Sequence, residues 1–284
     1  MIISEKIKKE DLEKYSRTFS IPNMVENSYI TIENSTPRGI IGLELKSWES
    51  GIFDQKIASI NYIIVRSSSY EKDKEVYTKL LETIDLWCKE NKVKLISIKI
   101  NPNNIPLKHT LPKFGFNLIE EYITLSHNLE DIKKNSQNIK PFKKEDILIL
   151  KKIAADSLVT SRFHMDPLID KQVAINSRAE WIKNSCEGRA DQVLVVQYNN
   201  KVVGFVACKI NGNDGILDLI AVDKNYRGKD LGEDLTNACL TFFKNKNLNQ
   251  AYVGTQSINI PAIRMYEKCG FKFFNLELTF HKHY

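Results

Sequence analysis

Residues 103–116, NNIPLKHTLPKFGF, recur 155 residues later as INIPAIRMYEKCGF at 258–271, without a gap and with Asn, Ile, Pro, Lys, Gly and Phe in matching places. The segment opens a helix at Asn-Ile-Pro and stops it at Gly-Phe, so a chain that carries it twice reads as two copies of one structural unit. The flanking sequence agrees. In the second half, QVLVVQY (192–198), VVGFVACKI (202–210) and GILDLIAV (215–222) are strand-like and joined by the turn sequences NNK and NGND, which predicts a meander. EDLTNACLTFFKNK follows with Leu235, Cys239, Leu240 and Phe243 at helical spacing, then QAYVGTQ as another strand. In the first half, SYITIEN, GIIGLELKSW and KIASINYIIV make the meander, KEVYTKLLETIDLWCKEN the helix and VKLISIKI the strand. This order predicts an α/β protein of two tandem units and excludes a solenoid. The polar stretch HNLEDIKKNSQNIK (127–140) reads as the linker, giving domains at 1–130 and 138–284.

A chain of 284 residues with 42% hydrophobic content can fill two cores. Charges punctuate the start, MIISEKIKKEDLEKYS, and no apolar run there suits a signal peptide or a membrane span, so a soluble cytoplasmic protein is expected. The five cysteines are scattered, without metal-ligand spacing, and read as reduced thiols; no metal is expected, including at His281 and His283, which share a face if the last strand is regular. His109 and His127 read as surface residues, and Trp48, Trp87 and Trp181 as packing anchors. The net charge of +6 is uneven: residues 1–137 carry 20 Lys+Arg against 19 Asp+Glu, leaving +5 for the rest. With no basic cluster interleaved with aromatics, a nucleic-acid partner is not expected, whereas a small phosphorylated ligand suits the charge.

The differences between the copies carry chemistry. After its central strand the second unit has VDKNYRGKDLGEDL, a glycine-containing turn that runs into a helix, where free amides and the positive end of the dipole favour an anion. The first unit has VRSSSYEKDKEVY there, without glycine. Within the repeat, Leu111 is replaced by Tyr266. Asn259 suits the N-cap and Pro261 the first turn, and Tyr266, nearly two turns on, lies on the face of the cap. A phenol there can donate a proton; a leucine cannot.

IAVDKNYRGKDLGEDL followed by NIPAIRMYEKCGF resembles the core of the GNAT superfamily of acetyl-CoA-dependent N-acetyltransferases. The resemblance implies tandem GNAT-like units, each a mixed, mostly antiparallel sheet flanked by helices, the first degenerate and the second catalytic. It implies that Arg227, Gly228, Lys229, Asp230, Leu231 and Gly232 hold the pyrophosphate of acetyl-CoA, with Ile220, Ala221, Val222 and Asn259 as further cofactor contacts. Asp230 departs from the family pattern, which has glycine there; its carboxylate is expected to face solvent, stabilised in the first helical turn by the dipole. Acetyl transfer from a thioester to an amine passes through a tetrahedral oxyanion and expels a thiolate, and Tyr266 is implied as the acid that protonates the sulfur.

A degenerate unit joined to an active one is similar to the dTDP-fucosamine acetyltransferases, which acetylate a nucleotide-linked 4-amino sugar. SRFHMDP (161–167), between the first two helices of the second unit, agrees with that resemblance. It is read as an exposed, irregular loop that offers Arg162, Phe163 and Asp166 to the acceptor and His164, or Asp166, as the base. Other small amines or protein amines stay open as acceptors, as do a non-catalytic acyl-CoA-binding module, an aminoacyl-tRNA-dependent ligase and a homodimeric state. The intact turn argues against the ligase and Tyr266 against the non-catalytic module.

Overall fold

The computed structural model describes residues 2–133 and 139–284. The first half runs β1 (Ile2–Lys6), α1 (Leu12–Phe19), β2 (Asn27–Glu33), β3 (Thr36–Leu45), α2 (Ser47–Phe53), β4 (Ile57–Val65), α3 (Tyr70–Asn91), β5 (Leu95–Ile100), α4 (Ile105–Thr110) and β6 (Asn117–His127). The second runs β7 (Ile139–Pro141), α5 (Ile147–Ser157), α6 (Arg162–Met165), α7 (Lys171–Asn184), β8 (Gln192–Tyr198), β9 (Lys201–Asn211), β10 (Asp214–Val222), α8 (Leu231–Asn245), β11 (Gln250–Gln256), α9 (Ile260–Lys268) and β12 (Lys272–His283). The predicted meanders, long helices and following strands are all present. The interval expected as a linker begins inside β6, and its residues 134–138 lie outside the described residues.

Two compact units result, and they do not coincide with a cut at the linker: one is Met1–Ile119 with Glu277–Tyr284, the other Glu120–Leu276. Each half of the chain gives its last strand to the unit built by the other half. In the first unit β1–β5 are joined by the end of β12, antiparallel to β5 with Leu278 opposite Ile100 and His283 opposite Leu95. His281 and His283 therefore do share a face. In the second unit β6 lies antiparallel to β11, Ala251 opposite His127, and the order continues β11-β10-β9-β8-β7. Each sheet is antiparallel except for one parallel pair, β4 with β5 and β10 with β11.

Helices cover both faces of each sheet. In the first unit Val76, Leu80, Ile84 and Trp87 along α3 pack on one face with Phe116 and Phe280, and Phe19 of α1 packs with Ile30 and Ile40 on the other. In the second, Leu235, Cys239 and Phe243 of α8 pack on one face, and Leu150, Ile153 and Ala154 of α5 with Ile182 of α7 on the other. Truncating a fully buried leucine such as Leu80 or Leu235 to alanine costs roughly 2–5 kcal/mol at such sites. Gly115 and Gly270 end the repeated helices in the left-handed region, at φ 79° and 92°. Pro112, where the second copy has Glu267, explains why the first helix stops at Thr110 and tightens into a 3-10 turn, while α9 runs on to Lys268.

Candidate active site

β10 and β11 hydrogen-bond only over Asp214–Leu217 and Gln250–Val253. Beyond that point β10 stays paired with β9 as far as Val222, β11 stays paired with β6 as far as Gln256, and the two part. A bulge at Asp218 accompanies the parting: Leu217 packs against the α8 side, Leu219 and Ala221 against the α5/α7 side. An inserted residue puts Asp218 and Leu219 on one face, so Asp218 reaches α7 and accepts the indole N–H of Trp181 at 2.7 Å. From Leu219 onward, through Ile220, Ala221 and Val222, β10 has no strand neighbour on its β11 side among the described residues, so this backbone edge can bind an extended chain.

The turn after β10 continues this open edge. Gly228 has φ 73° and open space where a Cβ would stand. Asp230 is the N-cap of α8 with φ 56°, ψ 11°, and its side chain makes no capping hydrogen bond. The first amides of α8, from Leu231, Gly232 and Glu233, therefore lack the partner a cap would supply. This corrects the expectation for Asp230: it precedes the first turn and takes the left-handed conformation that a glycine adopts freely, although the residue is exposed as expected. Leu231 is buried, so its side chain faces the core and only its backbone amide is available at the turn. Gly232 answers to packing, since a Cβ there would meet the Met265 sulfur of α9 at 2.6 Å. Glu233, in the first turn of α8, is paired with Lys268 at 3.0 Å. Arg227 reaches the Ser157 carbonyl at 3.4 Å, and Lys229 lies 5.1 Å from the Tyr198 ring centre.

The first unit repeats the scaffold and closes the site. β4 and β5 pair only from Ile57–Ile60 to Leu95–Ile98, with the same irregularity one residue beyond, yet the loop into α3 binds its own anion. Asp73, 6% exposed, accepts the Ser68 amide at 3.1 Å and the Ser67 hydroxyl at 2.7 Å, and Ser69 caps the helix from Lys72 N–H. The first unit thus supplies its own acceptors at the entry to α3, Ser69 for the Lys72 amide and Asp73 for the loop before it, where α8 has no side-chain cap. Leu111 is fully buried among Leu107, Phe116 and Trp87.

Tyr266 is 3% exposed and packs its ring on Phe271, 5.7 Å between centroids. Burial, reinforced by Tyr122, Cys239 and Cys269, pushes the phenol well above its ordinary value, so it stays protonated and is a donor. Asn259 occupies the N-cap position, but the expected capping bond is absent; its amide donates to the Thr255 hydroxyl at 3.0 Å, whereas Asn104 in the first copy does cap, through Leu107 N–H at 3.3 Å.

A family model described as the acetyltransferase (GNAT) family matches residues 160–271, the stretch that holds the parted strands, the open turn and Tyr266. Residues 160–271 are a GNAT-family acetyltransferase domain. Over nearly the whole chain the protein is similar to the spore coat polysaccharide biosynthesis protein SpsD of Bacillus subtilis, 24% identical over 276 residues, 95% of this chain and 93% of that one. N-acetylaspartate synthetase of Xenopus tropicalis is 36% identical over 80 residues, 28% of this chain and 30% of its own. Among solved structures, a GCN5-related N-acetyltransferase from Sphaerobacter thermophilus superposes with TM-score 0.67 at 10% identity, covering 99% of this chain and 95% of its own. A tandem GNAT protein from the clavulanic acid biosynthesis pathway covers 100% and 98% with TM-score 0.60 at 10% identity. Both units are thus GNAT-like in fold.

In the GNAT domain SRFHMDP is not an exposed loop. It forms the helical turn α6, with Ser161, Phe163 and Asp166 buried, because Phe163 is drawn inward and the Asp166 carboxylate accepts the Leu168 amide at 3.0 Å. Arg162 lies over the Phe163 ring at 4.6 Å, so Phe163 supports the arginine from below. His164 hydrogen-bonds Ser161 through Nδ1 at 2.7 Å, and its Nε2 is sealed without a partner. Burial and the charge of Arg178 push its pKa down to about 4, which makes the imidazole neutral at pH 7. His127, expected at the surface, is buried, accepts the Leu129 amide at 2.9 Å and faces Gly270.

Sequence reasoning missed Arg178, Tyr122, Glu120 and Gln256. Tyr122 is an electrostatic neighbour of both Tyr266 and Arg178. Gln256 donates to Glu120 at 3.0 Å and accepts from Thr160 at 3.3 Å. Tyr122 and Glu120 sit in β6, which reads as part of the first half, and Arg178 sits in a helix whose pattern reads as an ordinary surface.

Proposed function

We propose that the protein transfers the acetyl group of acetyl-CoA to the primary amine of an amino sugar linked to a nucleotide, in the cytoplasm. The observation that carries this reading is the asymmetry between the units: the first amides of α8 have no side-chain cap beside parted strands, while at α3 the Ser69 hydroxyl takes the Lys72 amide and Asp73 ties down the preceding loop at Ser67 and Ser68. The residues suit acetyl-CoA. The amides of Leu231, Gly232 and Glu233, with Gly228 leaving room, would donate to its pyrophosphate, and the free edge of β10 at Ile220–Val222 would hydrogen-bond its amide arm. Arg227 and Lys229 add positive charge, and Asn259 stays a candidate contact at the start of α9.

Tyr266 would donate its proton to the departing sulfur. Its raised pKa keeps the proton available across the physiological range. His164, neutral and with a pKa pushed down to about 4, suits a hydrogen-bonding role better than that of a base for an ammonium ion. Arg162 and Asp166 remain candidates for the acceptor.

The amino-sugar assignment is supported by the likeness to a polysaccharide biosynthesis protein over 95% of the chain. Its test compares a dTDP-linked 4-amino sugar with the same free sugar. The nucleotide's remote binding energy is expected to raise kcat/KM at least tenfold. Equal efficiency on both, or acetylation of peptides alone, would defeat the nucleotide-sugar reading and leave an acetyltransferase.

A further inference from the structure

We propose that Arg178 and His164 form a binding site for an oxyanion of the acceptor, a carboxylate or a phosphate. The proposal rests on the acetyltransferase reading only in calling the ligand an acceptor. Two sealed nitrogens without hydrogen-bond partners, Arg178 Nε on α7 and His164 Nε2 on α6, come from separate elements of the same domain. Buried polar nitrogens are rarely left without partners, so two in one neighbourhood mark a place where a ligand supplies them.

The carboxylates in reach of Arg178 have other partners. Asp218 accepts the Trp181 indole at 2.7 Å and a bidentate Arg189 at 2.6 and 3.3 Å, and Glu120 accepts Gln256 at 3.0 Å. Trp181 is fixed by Asp218 and presents its ring to both Arg189, at 4.5 Å, and Arg178, at 5.2 Å. Arg178 is thus oriented by stacking, and its N–H groups make no hydrogen bond among the described residues. Burial and the nearby Arg162 charge draw its pKa down only to about 10, so it is charged at neutral pH.

His164 complements it. A second cation would repel Arg178, but His164 is neutral, and when Ser161 donates to Nδ1 the proton sits on Nε2. A guanidinium fork and an imidazole N–H, with Arg162 adding charge, match the geometry of a carboxylate or phosphate and not that of a neutral hydroxyl.

The test titrates succinate and inorganic phosphate calorimetrically into the full-length protein saturated with coenzyme A, so that the turn before α8 is already filled. The wild type is expected to bind at least one of the two saturably, and the preferred probe names the anion. Arg178→Gln should weaken that binding at least tenfold, Arg178→Lys less, and His164→Phe severalfold, with coenzyme A affinity within twofold throughout. If Arg178→Gln does not fold, the lysine and phenylalanine variants carry the comparison. Absence of saturable binding of either anion to wild type, or equal binding to the folded variants, would overturn the site. Anion binding without coenzyme A binding would instead overturn the acetyltransferase reading and leave the anion site standing.

Discussion

The Tyr122 hydroxyl occupies the space that a side chain at position 254 would need: a Cβ built on Gly254 would meet it at 1.9 Å and the ring at 2.3 Å. Tyr122 comes from β6 and Gly254 from β11, so the edge of the catalytic unit is shaped by a strand that the first half of the chain encodes. Gly254→Ala is expected to destabilise by roughly 1–3 kcal/mol, the usual cost of overpacking, because a strand-held aromatic ring cannot swing aside as a flexible chain would. Adding Tyr122→Ala should recover part of that loss in a double-mutant cycle of thermal melts. Additive effects would show that the contact is relaxed in solution.

The same strand decides which fragments fold. A fragment starting at 138 lacks β6 and exposes the length of β11 from Ala251 to Gln256, an open apolar edge that invites aggregation. A fragment starting at 117 keeps that pairing. Size-exclusion chromatography should find the longer fragment soluble and the shorter one aggregated; a monomeric, folded 138–284 fragment would refute the strand exchange.

Tyr266→Phe keeps the ring and removes the donor. It should lower kcat by about 10² to 10⁴ while leaving acetyl-CoA affinity and melting temperature nearly unchanged, since the hydroxyl makes no hydrogen bond among the described residues. Turnover equal to wild type would return Tyr266 to a packing role. Leu111→Tyr in the other unit should only destabilise, by roughly 1–3 kcal/mol, because that position is fully buried and the start of α3 is already capped by Ser69.

Asp230→Gly relieves a left-handed residue and removes a carboxylate from the turn proposed to hold the pyrophosphate. It should raise stability by up to roughly 1 kcal/mol and leave acetyl-CoA binding equal or tighter. Weaker binding would assign the carboxylate a positive role. Gly228→Ala should act in the opposite sense, through backbone strain and not through a clash.

His164 gives a pH signature. Its folded pKa is depressed from the ordinary 6.5 to about 4, so between those values the unfolded chain binds a proton that the folded chain does not. Stability therefore falls as pH drops from 6.5 towards 4, and this contribution levels off below 4. His127, also lowered by burial, acts in the same direction. His164→Gln should make the slope of melting temperature against pH shallower in that window and leave it unchanged above pH 7. Identical slopes would show that His164 titrates normally.

The sequence by itself determined the tandem α/β units, nearly every strand and long helix, the glycine-containing turn into α8 and the exchange of Leu111 for Tyr266. These rest on local signals: hydrophobic period, turn residues, and a repeated helix with its cap and stop. Three things were decided only by the tertiary structure. The ownership of β6 and β12 depends on pairing across long sequence separations, which no local pattern records. The hold on the loop into α3 depends on Asp73, whose carboxylate reaches back to Ser67 and Ser68, a contact that no local pattern in VRSSSYEKDKEVY records. The exposed-loop reading of SRFHMDP failed because its polar residues hid the pull of Phe163 into the interior, and Arg178 went unseen because its role depends on what its neighbours are already bonded to. Local chemistry wrote the elements; burial and competition for hydrogen-bond partners decided which polar groups were left to act.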